Sequence, residues 1–342
     1  MRALPVLNPA NRFSSSELTY DDGEAPVVTL DIYEDRSRQI LAKNDSPDVG
    51  FNWSVNPYRG CYHACAYCYA RPTHEYLSFG AGTDFDRKLV VKPEAPHLLR
   101  EAFDAPRWKG ELVVMSGVTD CYQPIESKYR LTRQCIEVCV EYKNPFGIVT
   151  KSPLVERDID LLARAAEVTS VRVLVSIPVW DSEVGRAIEP GVPPAERRLK
   201  TIERLAAAGV PVGVMVAPVI PGLTDEDMPA ILTAARAAGA RYAGKVLLRL
   251  PGAVKEVFEQ RLREALPGRA DRVLRRIKET RGGKLYDATF GKRGVGEGPY
   301  AESIHTLFEA TARRLGFESS QPENAASTFE RPLARGPQLS LF

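Results

Sequence analysis

Short apolar runs alternate with segments of helical periodicity along most of this chain, and that alternation limits its fold more than any other feature. Strand-type runs are predicted at residues 53–58, 112–116, 146–150, 171–177, 210–217 and 243–250. Helical patterns are predicted at 132–142, 154–167, 194–208 and 225–238, the last capped by Thr224. Strands separated by helices of this length form βαβ units and a parallel sheet.

The six predicted strands suit either a doubly wound sheet or an incomplete barrel, and the pattern alone does not choose between them. In both architectures, ligands bind at the carboxyl ends of the strands. Residues that follow each predicted strand are therefore the first candidates for a functional site.

The segments on either side of this α/β unit differ from it in composition. Residues 1–50 are polar and turn-rich, with one predicted strand pair at 27–33 and 38–42. Residues 251–317 are mainly helical, with a glycine-rich interruption at 281–299. From 318 to 342 the chain is polar and contains proline, a composition typical of a disordered tail. We therefore predict an N-terminal extension (1–50), a central α/β unit (51–250), a helical region (251–317) and a tail (318–342).

Overall composition excludes some classes of protein. The 342 residues are 44% apolar and 26% charged, with a net charge of +2, which is not the balance of a strongly basic nucleic-acid binder. No apolar run approaches the roughly 20 residues that a membrane helix needs. The first residues lack the apolar segment of a secretory signal. These features predict a cytoplasmic protein with no membrane association.

The six cysteines are clustered, which indicates metal or redox chemistry and not a disulfide framework. Cys61, Cys65 and Cys68 share one loop after the first predicted strand. Thiolates select zinc, copper(I) or iron–sulfur clusters. A structural zinc site needs four protein ligands, and His63 or His74 would have to supply the fourth. A 4Fe–4S cluster on three cysteines leaves one iron open to a ligand.

The spacing Cys61-x3-Cys65-x-Tyr67-Cys68 resembles the signature of the radical S-adenosylmethionine (SAM) superfamily. Further stretches resemble the subgroup related to spore photoproduct lyase, at residues 119–126, 150–152, 189–190 and 217–222. The resemblance covers about residues 50–320. It implies a partial (β/α)6 barrel of the TIM type, and a 4Fe–4S cluster on the three cysteines. It also implies reductive cleavage of SAM to a 5′-deoxyadenosyl radical, with a flavodoxin or ferredoxin as electron donor.

The same resemblance implies where SAM binds. The Ser116–Gly117 segment lies near the methionine amino group, and Lys151 is the candidate partner of the carboxylate. Ser176 is a candidate for the ribose hydroxyls or the methionine group. The adenine is expected beside Ala217 and Tyr67. The alternatives are that the two serines only satisfy loop backbone, and that Lys151 pairs with a protein carboxylate, either Asp120 or Glu189.

The second group of cysteines has two predicted roles. Cys135 and Cys139 are four residues apart on an amphipathic helix, as expected for small buried hydrophobes. Cys121 follows the second predicted strand and is a candidate catalytic hydrogen-atom donor or acceptor; the alternative is loop packing. The resemblance to spore photoproduct lyase implies a cysteine late in the chain as hydrogen donor. Because no cysteine follows Cys139, this difference argues against photoproduct reversal.

The last five residues, 338–342, resemble the peptide with which bacterial proteins bind the DNA sliding clamp. Leu341 and Phe342 would enter an apolar pocket while Gln338 makes directional hydrogen bonds. The alternative is that Leu341 and Phe342 dock on the chain's own surface. Clamp binding would place the protein near DNA.

A basic run also favours nucleic acid, because cations beside glycine-rich loops can follow a phosphate backbone. It comprises Arg275, Arg276, Lys278, Arg281 and Lys284, followed by Lys292 and Arg293. The alternative is a solvated helix face. The leading hypothesis is a radical SAM enzyme, of lyase or oxidoreductase type, acting in DNA repair or on a modified base. One alternative is a radical SAM enzyme acting on a peptide or small metabolite; another is a zinc-stabilised binding protein recruited to the clamp.

Overall fold

The structure is a computed structural model that describes residues 30–318 and 327–332. Within these ranges the strands are β1 (Asp31–Glu34), β2 (Leu41–Lys43), β3 (Trp53–Val55), β4 (Tyr58–Arg59), β5 (Lys88–Val91), β6 (Val113–Met115), β7 (Phe146–Thr150), β8 (Val171–Ser176), β9 (Val212–Val219) and β10 (Tyr242–Leu247). The α-helices are α1 (Thr83–Arg87), α2 (Ala95–Asp104), α3 (Glu126–Tyr129), α4 (Leu131–Glu141), α5 (Ile159–Val168), α6 (Ser182–Ile188), α7 (Ala195–Ala207), α8 (Met228–Ala237), α9 (Val254–Ala265), α10 (Pro267–Glu279) and α11 (Pro299–Arg314). Two 3-10 helices cover Arg71–Leu77 and Pro153–Asp158.

The main sheet has seven strands in the order β10-β9-β8-β7-β6-β3-β2. Six of them, β3 and β6 to β10, run parallel in sequential order, while β2 pairs antiparallel with β3 at one edge. A doubly wound sheet reverses its strand order at a switch point. No reversal occurs along these six strands, so the order is that of a partial (β/α)6 barrel. The predicted fold class is confirmed.

The core lies between the strands and the helices that cover them. Val173, Val175 and Val214 on the central strands are fully buried, and helices α4, α5, α7 and α8 pack apolar faces on the sheet. Burial of a Val, Ile or Leu side chain contributes about 1.5–3 kcal/mol, which makes this layer the main source of stability. Cys135 and Cys139 are buried in the same core, as predicted.

Two predicted helices begin differently in the structure. The predicted helix at 154–167 is divided into the 3-10 helix Pro153–Asp158 and α5, and Ser152 caps the first turn by accepting a hydrogen bond from the Leu154 amide. The predicted capping role of Thr224 is wrong. Its hydroxyl accepts a hydrogen bond from the Ile220 amide at 2.9 Å, so it stabilises the turn before α8.

The predicted strand pair near the N-terminus is also wrong in its pairing. β1 runs parallel to β5 in a small sheet with the order β1-β5-β4, and β2 instead extends the main sheet beside β3. β5 is apolar and mostly buried, and pairing with β1 and β4 satisfies the backbone groups on both of its sides. These distant partners replace the predicted local hairpin.

After β10 the chain continues through α9, α10 and α11, with a glycine-rich loop at 281–298. Arg281 is buried at the start of this loop and donates hydrogen bonds to the carbonyls of Leu248, Lys292 and Arg293. The guanidinium thus attaches the loop to the carboxyl end of β10. In the parts of the chain that the structure describes, no helix combines the length and the apolar content that a membrane span requires.

Residues 327–332, which we call the clip, pack on the outside of the barrel. The Phe329 ring contacts Phe103 at 6.1 Å and Tyr142 at 6.2 Å between ring centroids. Arg331 donates to the carbonyls of Phe103, Ala105 and Trp108. These six residues fall within the predicted tail of 318–342, and an aromatic ring and a guanidinium attach them to the barrel.

Candidate active site

The cysteine loop follows β4 and lies at the carboxyl ends of the parallel strands. Cys61 and Cys65 are buried, Cys68 is half-buried, and all three thiols are free. Backbone turns shape the loop, since the Ala64 amide donates to the Cys61 carbonyl and the Cys68 amide to the Cys65 carbonyl, both at 3.2 Å. The structure thus brings the three predicted ligands into one tight turn.

A buried arginine holds the loop in place. Arg71 donates twice to the Cys65 carbonyl, from Nε at 3.0 Å and Nη2 at 2.9 Å, and also to the carbonyls of Ala81 and Gly82. Its charge is balanced by Asp86 at 2.8 Å. Burial raises the pKa of Asp86 to about 6, with Arg71 acting in the opposite direction. The Tyr-Ala-Arg stretch at 69–71 is part of the resemblance to the family, but nothing in the sequence indicates this role of Arg71, because an arginine after a cysteine motif is usually at the surface.

The thiols lie in an environment that disfavours free thiolates. Burial raises the pKa of Cys65 well above its usual range and that of Cys68 to about 11, and the neighbouring thiols contribute in the same direction. Thiolates in such a place need a compensating cation, and a metal centre supplies one. Cys68 packs against both the apolar cluster that contains Cys61 and the one that contains Cys65, so the three side chains lie in one region.

The two histidines proposed as a fourth zinc ligand have other partners. His74 Nε2 lies 2.8 Å from the Lys88 carbonyl, and His63 Nδ1 lies 3.4 Å from Asp120. Within residues 30–318 and 327–332, no three His, Cys, Asp or Glu side chains converge closely enough to hold one ion. A cluster binds each thiolate to a different iron and so spreads its ligands more widely. The donor set therefore fits a cluster better than zinc.

Asp120 is a buried hub beside the cysteine loop. Its carboxylate accepts hydrogen bonds from the Lys151 amide and the Thr150 hydroxyl, both at 2.7 Å, and from the Tyr122 amide at 2.9 Å. Burial opposes ionisation, but His63 and these donors lower the pKa of Asp120. Asp120 thereby links the loop after β6 to the end of β7. Sequence analysis considered it only as a partner for the Lys151 side chain.

Four of the predicted cofactor-binding residues come together at the strand ends. Lys151 Nζ donates to Ser176 Oγ at 3.0 Å, and Ser176 Oγ donates to the Ala217 carbonyl at 3.0 Å. Lys151 Nζ also lies 5.8 Å from the centre of the Tyr67 ring. Among the described residues, no carboxylate lies within ion-pair distance of Lys151, so neither Asp120 nor Glu189 neutralises its side chain.

Ser116 and Gly117 lie at the end of β6, on the same edge. The Ser116 hydroxyl donates to the Val149 carbonyl at 2.8 Å and accepts from the Cys121 amide at 3.2 Å. Its backbone φ of 92° is rare outside glycine, and such conformations concentrate at functional sites. Ser116 therefore satisfies backbone groups of the loop, as the alternative expected.

Cys121, the predicted hydrogen-atom donor or acceptor, lies in the loop after β6 and beside Ser116. Its side chain is fully buried in the main core, and its carbonyl accepts a hydrogen bond from the Thr132 hydroxyl. Burial raises the pKa of Cys121 well above its usual range, with Asp120 acting in the same direction. This burial favours the packing alternative, and the catalytic role of Cys121 stays a prediction.

Glu189 and Arg198 form a buried pair behind the cysteine loop. Glu189 accepts a hydrogen bond from the Tyr67 phenol and pairs with Arg198 at 3.0 Å. Arg198 also donates to the Ser176 carbonyl at 2.7 Å. Sequence analysis noted Glu189 only through its family motif and missed Arg198, because a helix surface is the usual place for arginine.

The predicted basic run is mostly neutralised within the protein. Arg275 and Arg276 both pair with Glu279, Lys292 pairs with Glu297, and Arg293 pairs with Asp48. Arg281 is buried against backbone carbonyls. These pairings favour the alternative of a solvated helix face. The predicted clamp-binding residues 338–342 lie outside the described residues.

Comparison with known proteins agrees with this geometry. The family model of the radical SAM superfamily matches residues 55–235, which include the cysteine loop and the strand ends through β9. The chain belongs to the radical SAM superfamily. The superfamily implies a 4Fe–4S cluster and SAM as cofactors.

Curated relatives of this radical SAM chain extend the match. An uncharacterized protein of Mycobacterium tuberculosis is 43% identical over 219 residues, which are 64% of this chain and 64% of the relative. An uncharacterized protein of Methanocaldococcus jannaschii is 32% identical over 184 residues, 54% of this chain and 66% of the relative. The chain thus matches less than two thirds of the length of these relatives.

Solved structures show the same fold. Spore photoproduct lyase complexed with a dinucleoside spore photoproduct superposes with a TM-score of 0.61 at 17% identity, over 84% of this chain and 80% of that one. A variant of that enzyme with bound AdoMet and the same dinucleoside gives a TM-score of 0.57 at 19% identity, over 84% and 78% of the two chains. The likeness to spore photoproduct lyase that the motifs predicted is confirmed at the level of fold.

Proposed function

We propose that this chain is a radical SAM enzyme that holds a 4Fe–4S cluster on Cys61, Cys65 and Cys68 and acts on nucleic acid. When bound, the cluster supplies the electron that splits SAM into methionine and a 5′-deoxyadenosyl radical, which takes a hydrogen atom from the substrate. The remaining tasks of binding, orientation and exclusion of water fall to the protein.

The observation that carries the proposal is the convergence of three free thiols, two buried and one half-buried, with an unneutralised lysine on one barrel edge. A lysine that is half-buried without a carboxylate is costly, and an anionic ligand would compensate it. Lys151 occupies that position, held by Ser176. The carboxylate of the SAM methionine group is an anion of the required size. The residues present therefore fit both the cluster and its cofactor.

The strand ends would divide the binding of SAM between them. Lys151 would bind the carboxylate, and Ser116 with Gly117 would present backbone carbonyls to the amino group. Ser176 would offer its hydroxyl to the ribose or methionine group. The Ala217 segment and the Tyr67 ring would border the adenine. Because each group sits on a rigid strand end or in the pinned cysteine loop, the reactive centre is held in a fixed place.

The nucleic-acid assignment is supported by a ring and a cation next to the cysteine loop. Tyr69 follows Cys68 directly and is 51% exposed, with the Arg249 guanidinium 5.5 Å from the centre of its ring. Among the described residues, Arg249 Nε is buried without a hydrogen-bond partner. An exposed aromatic ring stacks on a base, and an arginine binds phosphate. The likeness to spore photoproduct lyase, solved with a dinucleoside lesion, favours DNA repair.

The test of cofactor chemistry is anaerobic reconstitution of the full chain with iron and sulfide. We expect a brown protein with about four irons per chain that releases 5′-deoxyadenosine when it is reduced in the presence of SAM. Cys65→Ala should lose both properties. Cys135→Ala, which removes a buried core thiol on α4, is the matched control and should keep both. A colourless wild type with one tightly bound zinc would overturn the proposal.

The substrate class is tested separately by binding to short single-stranded DNA. Tyr69→Ala and Arg249→Gln should each weaken binding about 10-fold, the cost of one stacked base or one phosphate contact. Tyr76→Ala is the control, because Tyr76 is also exposed but lies further along the sequence from the cysteines than Tyr69 does. Equal binding by all three variants would exclude Tyr69 and Arg249 from nucleic-acid recognition.

Two partners remain proposals. A radical SAM enzyme needs a one-electron donor, and a flavodoxin or ferredoxin is the class that fits. Binding of residues 338–342 to a DNA sliding clamp is carried only by their sequence. A peptide of residues 333–342 that fails to bind the clamp at micromolar concentration would remove the second partner without affecting the enzyme proposal.

A further inference from the structure

A short segment between α6 and α7 fastens the cysteine loop from behind. The Ala66 amide donates to the Ile188 carbonyl at 2.9 Å, and the Gly191 amide donates to the His63 carbonyl at 3.1 Å. Between these two backbone contacts, the Tyr67 phenol donates to Glu189. Three hydrogen bonds therefore connect this segment to the part of the loop that carries Cys65.

Glu189 is an unusual residue for this position, because it is charged and only 2% exposed. Burying a carboxylate is expensive unless it is paired and hydrogen-bonded. Arg198, equally buried, provides the pairing at 3.0 Å, and the Tyr67 phenol provides the hydrogen bond. An apolar pair of similar volume would pack in the same space with less desolvation. Stability alone therefore does not account for these two charges.

The contacts of Glu189 continue to the strand ends and return to the loop. Arg198 donates to the Ser176 carbonyl, and the Ser176 hydroxyl accepts from Lys151, whose ammonium group lies 5.8 Å from the Tyr67 ring. The five residues Tyr67, Glu189, Arg198, Ser176 and Lys151 form a closed circuit. It joins the cysteine loop to the ends of β7 and β8, where the proposed cofactor carboxylate would bind.

We propose that Glu189 is a positioning residue for the cluster, holding Tyr67 and the Cys65 segment at a fixed place and putting a negative charge beside the cluster. This inference rests on the proposed function, because it presupposes a cluster on the three cysteines. Glu189 touches neither substrate nor cofactor in this scheme; it acts through Tyr67 and through its charge.

The electrostatic effect has a definite direction. Glu189 lies against the cysteine loop, because it accepts a hydrogen bond from the Tyr67 phenol and the neighbouring Ile188 carbonyl accepts one from the Ala66 amide. A buried carboxylate beside this loop disfavours adding an electron to a cluster bound there. Removing the charge should therefore make the cluster easier to reduce, which means a midpoint potential shifted to a more positive value.

The experiment compares Glu189→Gln with wild type in the reconstituted full chain. Glutamine keeps an acceptor for the Tyr67 phenol and removes the charge. We expect wild-type iron content with a midpoint potential shifted positively in a titration followed by electron paramagnetic resonance. Glu183→Gln, on the exposed side of α6, is the matched control and should leave the potential unchanged. An unshifted potential in Glu189→Gln would overturn the electrostatic part of the inference.

Tyr67→Phe tests the mechanical part, because it keeps the charge and removes the tether. Iron should be lost to a chelator several-fold faster than in wild type, with a smaller change of potential. If the variant loses iron to the chelator at the wild-type rate, the hydrogen bond from Tyr67 to Glu189 does not position the loop. If Glu189→Gln fails to fold because Arg198 is left unpaired, Tyr67→Phe still decides whether the tether positions the loop, because that variant leaves the Glu189–Arg198 pair intact.

Failure of the inference is distinct from failure of the proposed function. If wild type binds no cluster, the proposed function fails before any variant is compared. If wild type binds a cluster, and Glu189→Gln and Tyr67→Phe match the Glu183→Gln control in potential and iron retention, the proposed function stands and only this inference is wrong.

Discussion

The phenol of Tyr67 donates a hydrogen bond to the buried carboxylate of Glu189, although 122 residues separate them in sequence. Tyr67 is the aromatic residue of the cysteine motif, and Glu189 lies in the connection between α6 and α7. The contact makes the placement of the cysteine loop depend on a segment far along the chain. Substitutions in that connection should therefore affect the metal site without touching a ligand.

Gly191→Ala is expected to disturb the cysteine loop. A Cβ atom at this position would lie 2.5 Å from the Tyr62 carbonyl oxygen and 2.9 Å from His63 Cα, so the loop backbone must move. We expect reconstituted protein to hold less iron per chain than wild type. Gly185→Ala is the control, because its Cβ would come no closer than 4.0 Å to the Val179 side chain. Equal iron content in both variants would contradict the close fit.

Lys151→Met is expected to weaken SAM binding about 10- to 100-fold, which corresponds to the loss of about 1.5–3 kcal/mol from a hydrogen bond to a charged group. The cluster should still assemble, because Lys151 is not among the proposed ligands. Equilibrium binding of SAM to the reconstituted protein measures the change. Lys200→Met on the exposed face of α7 is the control, and equal affinity in the two variants would remove Lys151 from the cofactor site.

The stability of the protein should depend on pH through His74. Its Nε2 donates to the Lys88 carbonyl, so Nδ1 carries no proton, and Nδ1 has no partner among the described residues. Burial lowers the pKa of His74 to about 4, whereas an unfolded histidine titrates near 6.5. As pH falls, the unfolded chain therefore binds the proton first. The stability from neutral His74 is complete above about pH 6.5 and is lost as pH falls towards 4.

We expect wild type to lose up to about 3 kcal/mol more unfolding free energy between pH 7 and 4 than His74→Gln, which keeps a donor for the Lys88 carbonyl but does not titrate. Comparing the two proteins cancels the opposite contribution of Asp86, whose pKa is raised to about 6. Urea unfolding of the metal-free chain at several pH values provides the measurement. Identical pH dependence in the two proteins would show that His74 is not held neutral.

Gly110→Ala should release the clip. The added Cβ would lie 2.1 Å from Phe329 Cβ, and the backbone φ of 78° is itself unfavourable for alanine, by about 1–2 kcal/mol. Gly209→Ala is a matched control, because its φ is 77° and no atom lies within 4 Å of the added Cβ. A glutamate-specific protease should cut after Glu330 faster in Gly110→Ala. Equal cutting rates would show that the clip does not depend on this contact.

The sequence predicted those parts of the molecule that local patterns determine. The strands at Phe146–Thr150 and Val171–Ser176 are short apolar runs next to helical periodicity, and they lie within a residue of the predicted bounds. The cysteine loop was recognisable because ligand spacing is a local property. Its placement after the first predicted strand followed from the same βα pattern, although the structure divides that strand into β3 of the main sheet and β4 of the small sheet.

The remaining features depend on contacts between distant residues. Nothing near Glu189 or Arg198 indicates that both are buried, because their pairing appears only when α6, α7 and the cysteine loop meet. The partners of β1 and β2 likewise lie far from a local hairpin: β2 pairs with β3 at the edge of the barrel sheet, and β1 pairs with β5 in the small sheet. Phe329 lies in a segment of polar composition. Composition describes the segment as a whole, so it does not reveal that this one side chain packs on an aromatic surface.

The position of the clip also affects the order in which the protein is completed. Phe329 and Arg331 cover Phe103, Trp108 and Tyr142. These three aromatic residues are synthesised well before the clip, since the neighbouring pair Lys143 and Glu330 is 187 residues apart in sequence. While the chain is being translated, the barrel would present this aromatic surface to water and to chaperones. The ring that covers the surface arrives only after every strand of the barrel has been made.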